Sequence, residues 1–232
     1  MEPRLIVPGT ALSGTVRLPP EDERHIFSAL RMREGQKLVL CDGNGREALC
    51  VLTAGHEAAV LETFASRGEP DIPVHLYPSL AKGERFEWML QKAAELGAVS
   101  VTPVLSQRCV AGLPSAEKQT RCRRILRSAA EQSGRGIVPE LRNALSFQDA
   151  VYIAQGLRLF CYEEERTVSL RTAFDPRASE IAVLTGPEGG YTPEEAEFAA
   201  QNGWQSVTLG NTILRCETAP LMALAAVRFL YM

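Results

Sequence analysis

Two glycine-bearing segments carry the residues of this chain best suited to chemistry. They are Leu184-Thr185-Gly186-Pro187-Glu188-Gly189-Gly190 and Leu209-Gly210-Asn211-Thr212-Ile213-Leu214-Arg215-Cys216-Glu217-Thr218-Ala219. Each leaves an apolar, strand-like run (Ile181 to Leu184; Val207 to Leu209) and leads towards a helix. Two such loops side by side make a pocket walled by backbone N–H and C=O groups, suited to a flat polar ligand such as adenosine. Glycine serves there because a missing Cβ lets a ligand come close to the main chain. Glu188, Arg215 and Glu217 add charge around that pocket. Taken singly, each loop reads equally well as an ordinary βα turn.

Other chemistries are excluded by what the chain lacks. Its three histidines, His25, His56 and His75, precede the main body of the α/β region, so no Ser-His-Asp or Cys-His set is expected in its loops. His56-Glu57 has no cysteine pair to complete a zinc deaminase signature, and no metal site is expected. No phosphate-binding loop of the nucleoside-triphosphate type occurs. Six scattered cysteines without a C-x-x-C pair favour reduced thiols and a cytoplasmic location. No apolar run is long enough for a membrane span, and Met1-Glu2-Pro3-Arg4 lacks the layout of a signal peptide.

A net charge of −3 hides clustered cations. Lys118, Arg121, Arg123, Arg124, Arg127 and Arg135 face a single acid, Glu131, and Arg17, Arg24, Arg31 and Arg33 form a second group. Arginine outnumbers lysine about fivefold, which suits bidentate phosphate contacts. A solvated helix face explains the first cluster equally well.

The elements that must position these residues fall into two parts. Residues 1–70 read as a small β-rich domain, in which strands 37–41 and 48–52 flank the hairpin signal Asp42-Gly43-Asn44-Gly45. A short helix runs from Glu21 to Leu30, and Ser66 to Pro70 is the expected linker. Residues 71–232 alternate strand and helix, as an α/β layer does. Expected strands are 74–77, 99–105, 157–161 and 181–184, with helices 84–96 and about 115–131. Thr192-Pro193-Glu194-Glu195 is a capping box opening a further helix. A last helix, 220–230, is apolar nearly all round and is therefore expected to be buried in the domain or against a second subunit.

The pair of glycine loops and three further motifs carry a resemblance. The two glycine loops, Lys82-Gly83-Glu84-Arg85-Phe86-Glu87-Trp88-Met89-Leu90-Gln91-Lys92-Ala93-Ala94-Glu95-Leu96-Gly97, Arg108-Cys109-Val110, and Glu131-Gln132-Ser133-Gly134-Arg135 together resemble the 16S ribosomal RNA (uracil(1498)-N(3))-methyltransferase family of the SPOUT class. His25 to Met32 and the hairpin that follows are similar to its PUA-like RNA-binding domain, so the likeness covers nearly the whole chain. It implies an α/β SPOUT domain with a C-terminal trefoil knot behind a small PUA-like β-barrel. It also implies S-adenosyl-L-methionine as methyl donor, the 16S rRNA of the small ribosomal subunit as substrate, and a homodimer with active sites at the subunit interface.

In the family picture Leu184, Gly186, Glu188 and Gly189 form one wall of the donor site, and Leu209, Gly210, Ile213, Leu214, Cys216 and Thr218 the other. The resemblance casts Arg215 as stabiliser of the negative charge that develops on the uracil and Glu217 as base or orienter. Arg24, Arg31, Arg33, Arg108, Arg123 and Arg124 are the expected RNA contacts, with Gln132, Ser133 and Arg135 near the flipped base. This chain departs from the family where Gly210-Asn211-Thr212 stands in place of Gly-Pro-Arg and Cys216 in place of threonine. The alternatives are another SPOUT enzyme acting on tRNA or a ribose hydroxyl, and a catalytically silent RNA-binding factor in ribosome assembly.

Overall fold

The run Leu38-Val39-Leu40-Cys41 is apolar without alternation, the pattern of a strand buried on both faces. The computed structural model describes residues 2–231 and divides the chain into two compact units, Met1–Glu69 with Ala130–Val138, and Pro70–Ala129 with Pro139–Met232. In the first unit, β1 (Arg4–Ile6), β2 (Thr15–Arg17), β3 (Lys37–Cys41), β4 (Arg46–Thr53) and β5 (Glu57–Ala65) form one sheet in the order β1-β3-β4-β5-β2. Only the β1–β3 pair is parallel. Leu38 and Leu40 join one core cluster with Leu5, Val16, Ile26 and Leu52. Val39 and Cys41 join another with Ile6 and Ala130, against which Val138 packs. The second face of β3 is thus covered by a segment almost ninety positions away in sequence.

This is where the units depart from the contiguous division 1–70 and 71–232: Ala130–Val138 returns to the first. It is held there by charge-assisted hydrogen bonds. The Ile6 amide donates to Glu131 Oε1 at 3.0 Å, and Arg135 donates to Glu69 Oε2 at 3.1 Å from Nε and 2.7 Å from Nη2. Before β3, α1 (Pro20–Arg24) starts on a proline with three acids in its first turn, both favourable at a helix N-terminus. It continues as a π-helical turn, His25–Ala29. Arg31 then adopts a left-handed φ of 54°, which buries Met32 and leaves Arg31 and Arg33 exposed.

In the second unit the expected alternation is present. Its elements up to the last sheet strands are β6 (Val74–Pro78), α2 (Arg85–Glu95), β7 (Ser100–Val101), β8 (Val104–Leu105), α3 (Ala116–Ser133, ending in the first unit), β9 (Glu140–Leu141), β10 (Leu145–Ser146) and α4 (Phe147–Ile153). They are followed by β11 (Leu157–Cys161), β12 (Ile181–Thr185), α5 (Pro193–Gln201), β13 (Gln205–Val207) and α6 (Ala219–Leu230). Six strands form an all-parallel sheet, β13-β11-β12-β6-β7-β9. The single strand expected over 99–105 is two, because Pro103 has no N–H to continue a ladder; β8 pairs instead with β10. The strand expected over 207–209 lies earlier, at 205–207. Helix α4 escaped the sequence reading, although Ser146 caps it by accepting from the Asp149 amide.

The sheet order places β11, β12 and β13 side by side, so their C-terminal exits lie at one edge, where open parallel sheets bind ligands. Towards the strands' N-terminal ends sits a group that the histidine argument did not foresee. His75 Nδ1 lies 2.7 Å from Ser100 Oγ, and Nε2 lies 3.3 Å from Glu180 Oε2. Ser100 is only 1% exposed, so this Ser–His–Glu set has no substrate access. Burial first, and then the Arg142 charge, hold the imidazole below its ordinary pKa against the pull of Glu180. The folded state therefore binds this proton less readily than the unfolded chain. The stabilisation is complete above the usual histidine range and shrinks as pH falls through it. We expect urea midpoints to drop between about pH 7.5 and 5 more steeply in the parent chain than in His75→Gln; equal slopes would remove His75 as the cause.

Candidate active site

Three strand exits build the site. At the β12 exit, a strand buried along its whole length ends at Thr185, and the Gly190 amide closes a tight turn onto the Pro187 carbonyl at 3.0 Å. The turn runs into α5 through the anticipated capping box: Thr192 Oγ1 accepts from the Glu195 amide at 3.2 Å, and Glu195 Oε2 accepts from the Thr192 amide at 3.0 Å. Arg108 Nη1 donates to the carbonyls of Gly189 at 3.0 Å and Tyr191 at 3.2 Å. A Cβ on Gly186 would stand 3.2 Å from the Tyr191 ring, and one on Gly189 3.2 Å from Arg108 Cβ, so both positions are tight against their neighbours.

At the β13 exit, Thr208 Oγ1 accepts from the Gly210 amide at 3.2 Å and donates to the Gly210 carbonyl at 3.1 Å. Gly210 has φ 121°, a conformation that a side chain would strain. The Arg215 carbonyl accepts from the amides of Thr218 and Ala219 at 2.8 and 2.9 Å, starting α6. The β11 exit adds Tyr162, Glu163 and Arg166, and Arg85 at the start of α2 lies 3.6 Å from Glu188 Oε1.

These segments enclose a cavity of about 500 Å³. Its wall includes eight of the ten residues expected to bind a donor: Gly186, Glu188, Gly189, Leu209, Gly210, Ile213, Leu214 and Cys216. Arg215 and Glu217 also lie on it. The other two expected residues, Leu184 and Thr218, lie off this wall. Leu184 is fully buried in the core with Tyr77, Phe160 and Trp204, because β12 is central and covered on both faces. Thr218 sits at the α6 N-cap and does not line the cavity.

Electrostatics separate the polar groups of the wall. Burial above all, then its hydrogen bond to Glu217 at 3.3 Å, pushes the Cys216 thiol up to about 12, so it stays protonated and inert as a nucleophile. Burial opposes ionisation of Glu217. Its own backbone amide, the Cys216 thiol and the charges of Arg85 and Arg215 outweigh this and hold the carboxyl below the ordinary carboxylate range. A base so depressed accepts a proton poorly near neutrality.

The cations fare unevenly. Arg24, Arg31 and Arg33 are exposed on the first unit, Arg123 and Arg124 are exposed on α3, and Gln132 is exposed in its last turn. Ser133 Oγ donates to the Ala130 carbonyl at 3.2 Å. Arg135 is 2% exposed and bound to Glu69, and Arg108 is spent on the Gly189 and Tyr191 carbonyls. Arg135 is thus shut away from solvent, whereas Arg108 stays exposed beside its two carbonyl partners. The sequence reading missed Arg85, Tyr162, Glu163 and Arg166. The signal available for the last three was a run of acids, Glu163-Glu164-Glu165, directly after an apolar strand.

Known proteins share this arrangement. Residues 68–228 match the model of an RNA methyltransferase domain, and residues 18–63 that of an RNA methyltransferase PUA domain. Ribosomal RNA small subunit methyltransferase E of Bacillus subtilis (strain 168) is 34% identical, across 93% of this chain and 90% of that protein. The chain belongs to the small subunit methyltransferase E family. The member from Synechocystis is 35% identical, across 98% of this chain and 77% of the relative. Among solved structures, the family's enzyme from Neisseria gonorrhoeae, bound to S-adenosyl methionine, superposes with a TM-score of 0.92 at 34% identity, covering 100% of this chain and 98% of that one. A methyltransferase from Legionella pneumophila in complex with the same cofactor gives 0.90 at 29% identity, with coverage of 99% and 98%. The first unit thus carries the family's PUA domain, and the second its methyltransferase domain.

Proposed function

We propose that this chain transfers a methyl group from S-adenosylmethionine to N3 of a uridine, of the 1498 class, in the 16S RNA of the small ribosomal subunit. The observation that carries this is the convergence of the β11, β12 and β13 exits on one cavity lined by both glycine-bearing loops. Its volume of about 500 Å³ suits a nucleoside of that size. Gly210 leaves the main chain open on its side, where an added Cβ would meet nothing within 4 Å, and Leu209, Ile213 and Leu214 supply apolar surface for a purine. When bound, S-adenosylmethionine supplies an electrophilic methyl group on a sulfonium and a neutral thioether as leaving group.

The protein's part is to place uracil N3 in line with that methyl group and to offset the imide charge that forms as N3 loses its proton. Holding two reactants in register supplies about 7–11 kcal/mol of the barrier. Arg215, on the wall and in no salt bridge among the described residues, is the donor for the developing oxyanion. Glu217, ionised across neutral pH, orients Arg215 and the Cys216 thiol and is not the base. Arg24, Arg31, Arg33, Arg123 and Arg124 grip phosphates, so RNA affinity falls steeply with salt. The base reaches the cavity by leaving its stack, since a stacked edge is out of reach. The deciding experiment incubates the protein with small-subunit rRNA from cells lacking this activity and labelled donor, then maps the product by mass. Label at N3 of one uridine is expected; label on a ribose or on tRNA alone would overturn the proposal.

The chain works in the cytoplasm, by this proposal, as a homodimer with a trefoil knot formed where α6 follows the β13 exit. No helix among the described residues is long and apolar enough to cross a membrane. Support for the dimer lies on α6, which leaves Met222 46% and Phe229 79% exposed although Leu221, Leu224 and Val227 are buried. Trp88, on the neighbouring α2, is 46% exposed. Phe229→Glu is expected to convert the dimer to monomer in light scattering and to lower activity in step. A parent chain that is monomeric at micromolar concentration would refute it.

A further inference from the structure

We propose that the β11 exit loop, residues 162–168, is a clamp that fixes the gap between the two glycine loops, with Glu163 as its positioning residue. It ties to both neighbours. Towards the β12 exit, Glu163 Oε1 accepts from the Tyr191 amide at 2.9 Å. Towards the β13 exit, the Tyr162 amide donates to the Val207 carbonyl at 3.2 Å, and the Thr208 amide donates to the Val168 carbonyl at 2.8 Å. The loop itself is stiff. Glu165 Oε1 accepts from the amides of Arg166, Thr167 and Val168 at 3.0, 2.7 and 3.1 Å and from the Thr167 hydroxyl at 2.7 Å. Those donors hold the Glu165 carboxyl down to about 2, so the lock stays closed at physiological pH.

The fit at Gly190 shows how close the clamp comes. A Cβ there would overlap Glu163 Oε1, and Gly190 has φ 69°. The need for glycine at 190 thus comes from Glu163 as well as from the turn. Glu163 also lines the cavity, so displacing it changes both the wall and the spacing of Gly186–Gly190 from Leu209–Gly210. Reach and not charge is what the clamp requires: the acceptor must stand at the end of a side chain long enough to meet the Tyr191 amide.

This inference rests on the reading that the cavity takes S-adenosylmethionine, and the test separates the two. Calorimetry measures binding of S-adenosylmethionine and S-adenosylhomocysteine to the full chain, with melting temperature and the split of kcat from KM recorded beside it. Glu163→Asp keeps the charge but falls short of the amide. It is expected to weaken donor binding about tenfold, the worth of one charge-assisted hydrogen bond, and to raise KM for the donor accordingly. Glu163→Gln keeps the acceptor and is expected to bind within about threefold of the parent, as a neutral hydrogen bond still forms. Gly190→Ala is expected to weaken binding as well, and adding Glu163→Ala to it to cost nothing further, because the two act through one contact. Unchanged affinity in Glu163→Asp, or Gln as poor as Asp, would overturn the clamp. A parent chain that binds neither nucleoside would overturn the cofactor reading and the clamp with it.

Discussion

Arg215→Ala is expected to lower kcat by about 10²–10³-fold, the usual cost of deleting one donor aimed at developing charge. Donor affinity should stay within about threefold, because the interaction is made in the transition state and not with the resting ligand. The residue is placed for this. Its carbonyl anchors the first turn of α6 through Thr218 and Ala219, while its side chain lies on the cavity wall without a salt bridge among the described residues. Arg215→Lys is expected to recover little, since an ammonium cannot reproduce the planar fork. Glu217→Gln is the contrast. With its carboxyl already below the usual range, Glu217 contributes no titration near neutrality, so its loss should leave the shape of the pH–rate profile between about 6 and 8 unchanged. Stopped-flow or quenched single turnovers on the rRNA substrate give both numbers. If Glu217→Gln costs as much as Arg215→Ala and removes the acid limb, Glu217 is the base after all.

What was legible in the sequence follows from locality. The glycine loops, the capping box at Thr192 and the hairpin at Asp42–Gly45 are short-range signals, and the structure realises each at the marked place. Fold class was legible for the same reason: β12 and β6 are apolar runs, and α2 carries a helical stripe of Phe86, Met89, Leu90 and Ala93 that is buried as its spacing requires. What could not be read is pairing across long separations. Nothing near Arg135 announces that Glu69 will meet it, so a buried structural arginine reads like an RNA contact. Arg108 is taken by carbonyls more than eighty residues away. Leu184 ends an expected strand, but that β12 lies at the centre of the sheet, and so buries the Leu184 side chain, is fixed only by strand order. The β11 exit was invisible for a related reason: its place in the cavity depends on β11 lying between β12 and β13.

Glu69→Ala is expected to destabilise the chain by about 3–5 kcal/mol, the range for removing one partner from a buried ion pair. Glu69 meets Arg135 through Oε2, and its Oε1 accepts from the amides of Gly136 and Ile137 at 2.9 and 3.0 Å. Arg135 is 2% exposed, so its guanidinium cannot turn to water once the carboxylate is gone. The backbone passes too closely there to rearrange: a Cβ on Gly68 would overlap the Gly134 carbonyl, and one on Gly136 would stand 2.9 Å from Ser66 Oγ. Urea denaturation followed by circular dichroism measures the loss, seen as a lower midpoint at unchanged slope. The double variant Glu69→Ala/Arg135→Met is expected to be more stable than Glu69→Ala alone, because it also removes a buried charge that has lost its carboxylate. A cost below about 1 kcal/mol for Glu69→Ala would mean an exposed pair of the ordinary surface kind. Arg135→Met also separates anchoring from RNA contact: a phosphate-binding arginine would take about one unit off the salt slope of RNA affinity, whereas a residue that only holds Ala130–Val138 in place leaves that slope unchanged.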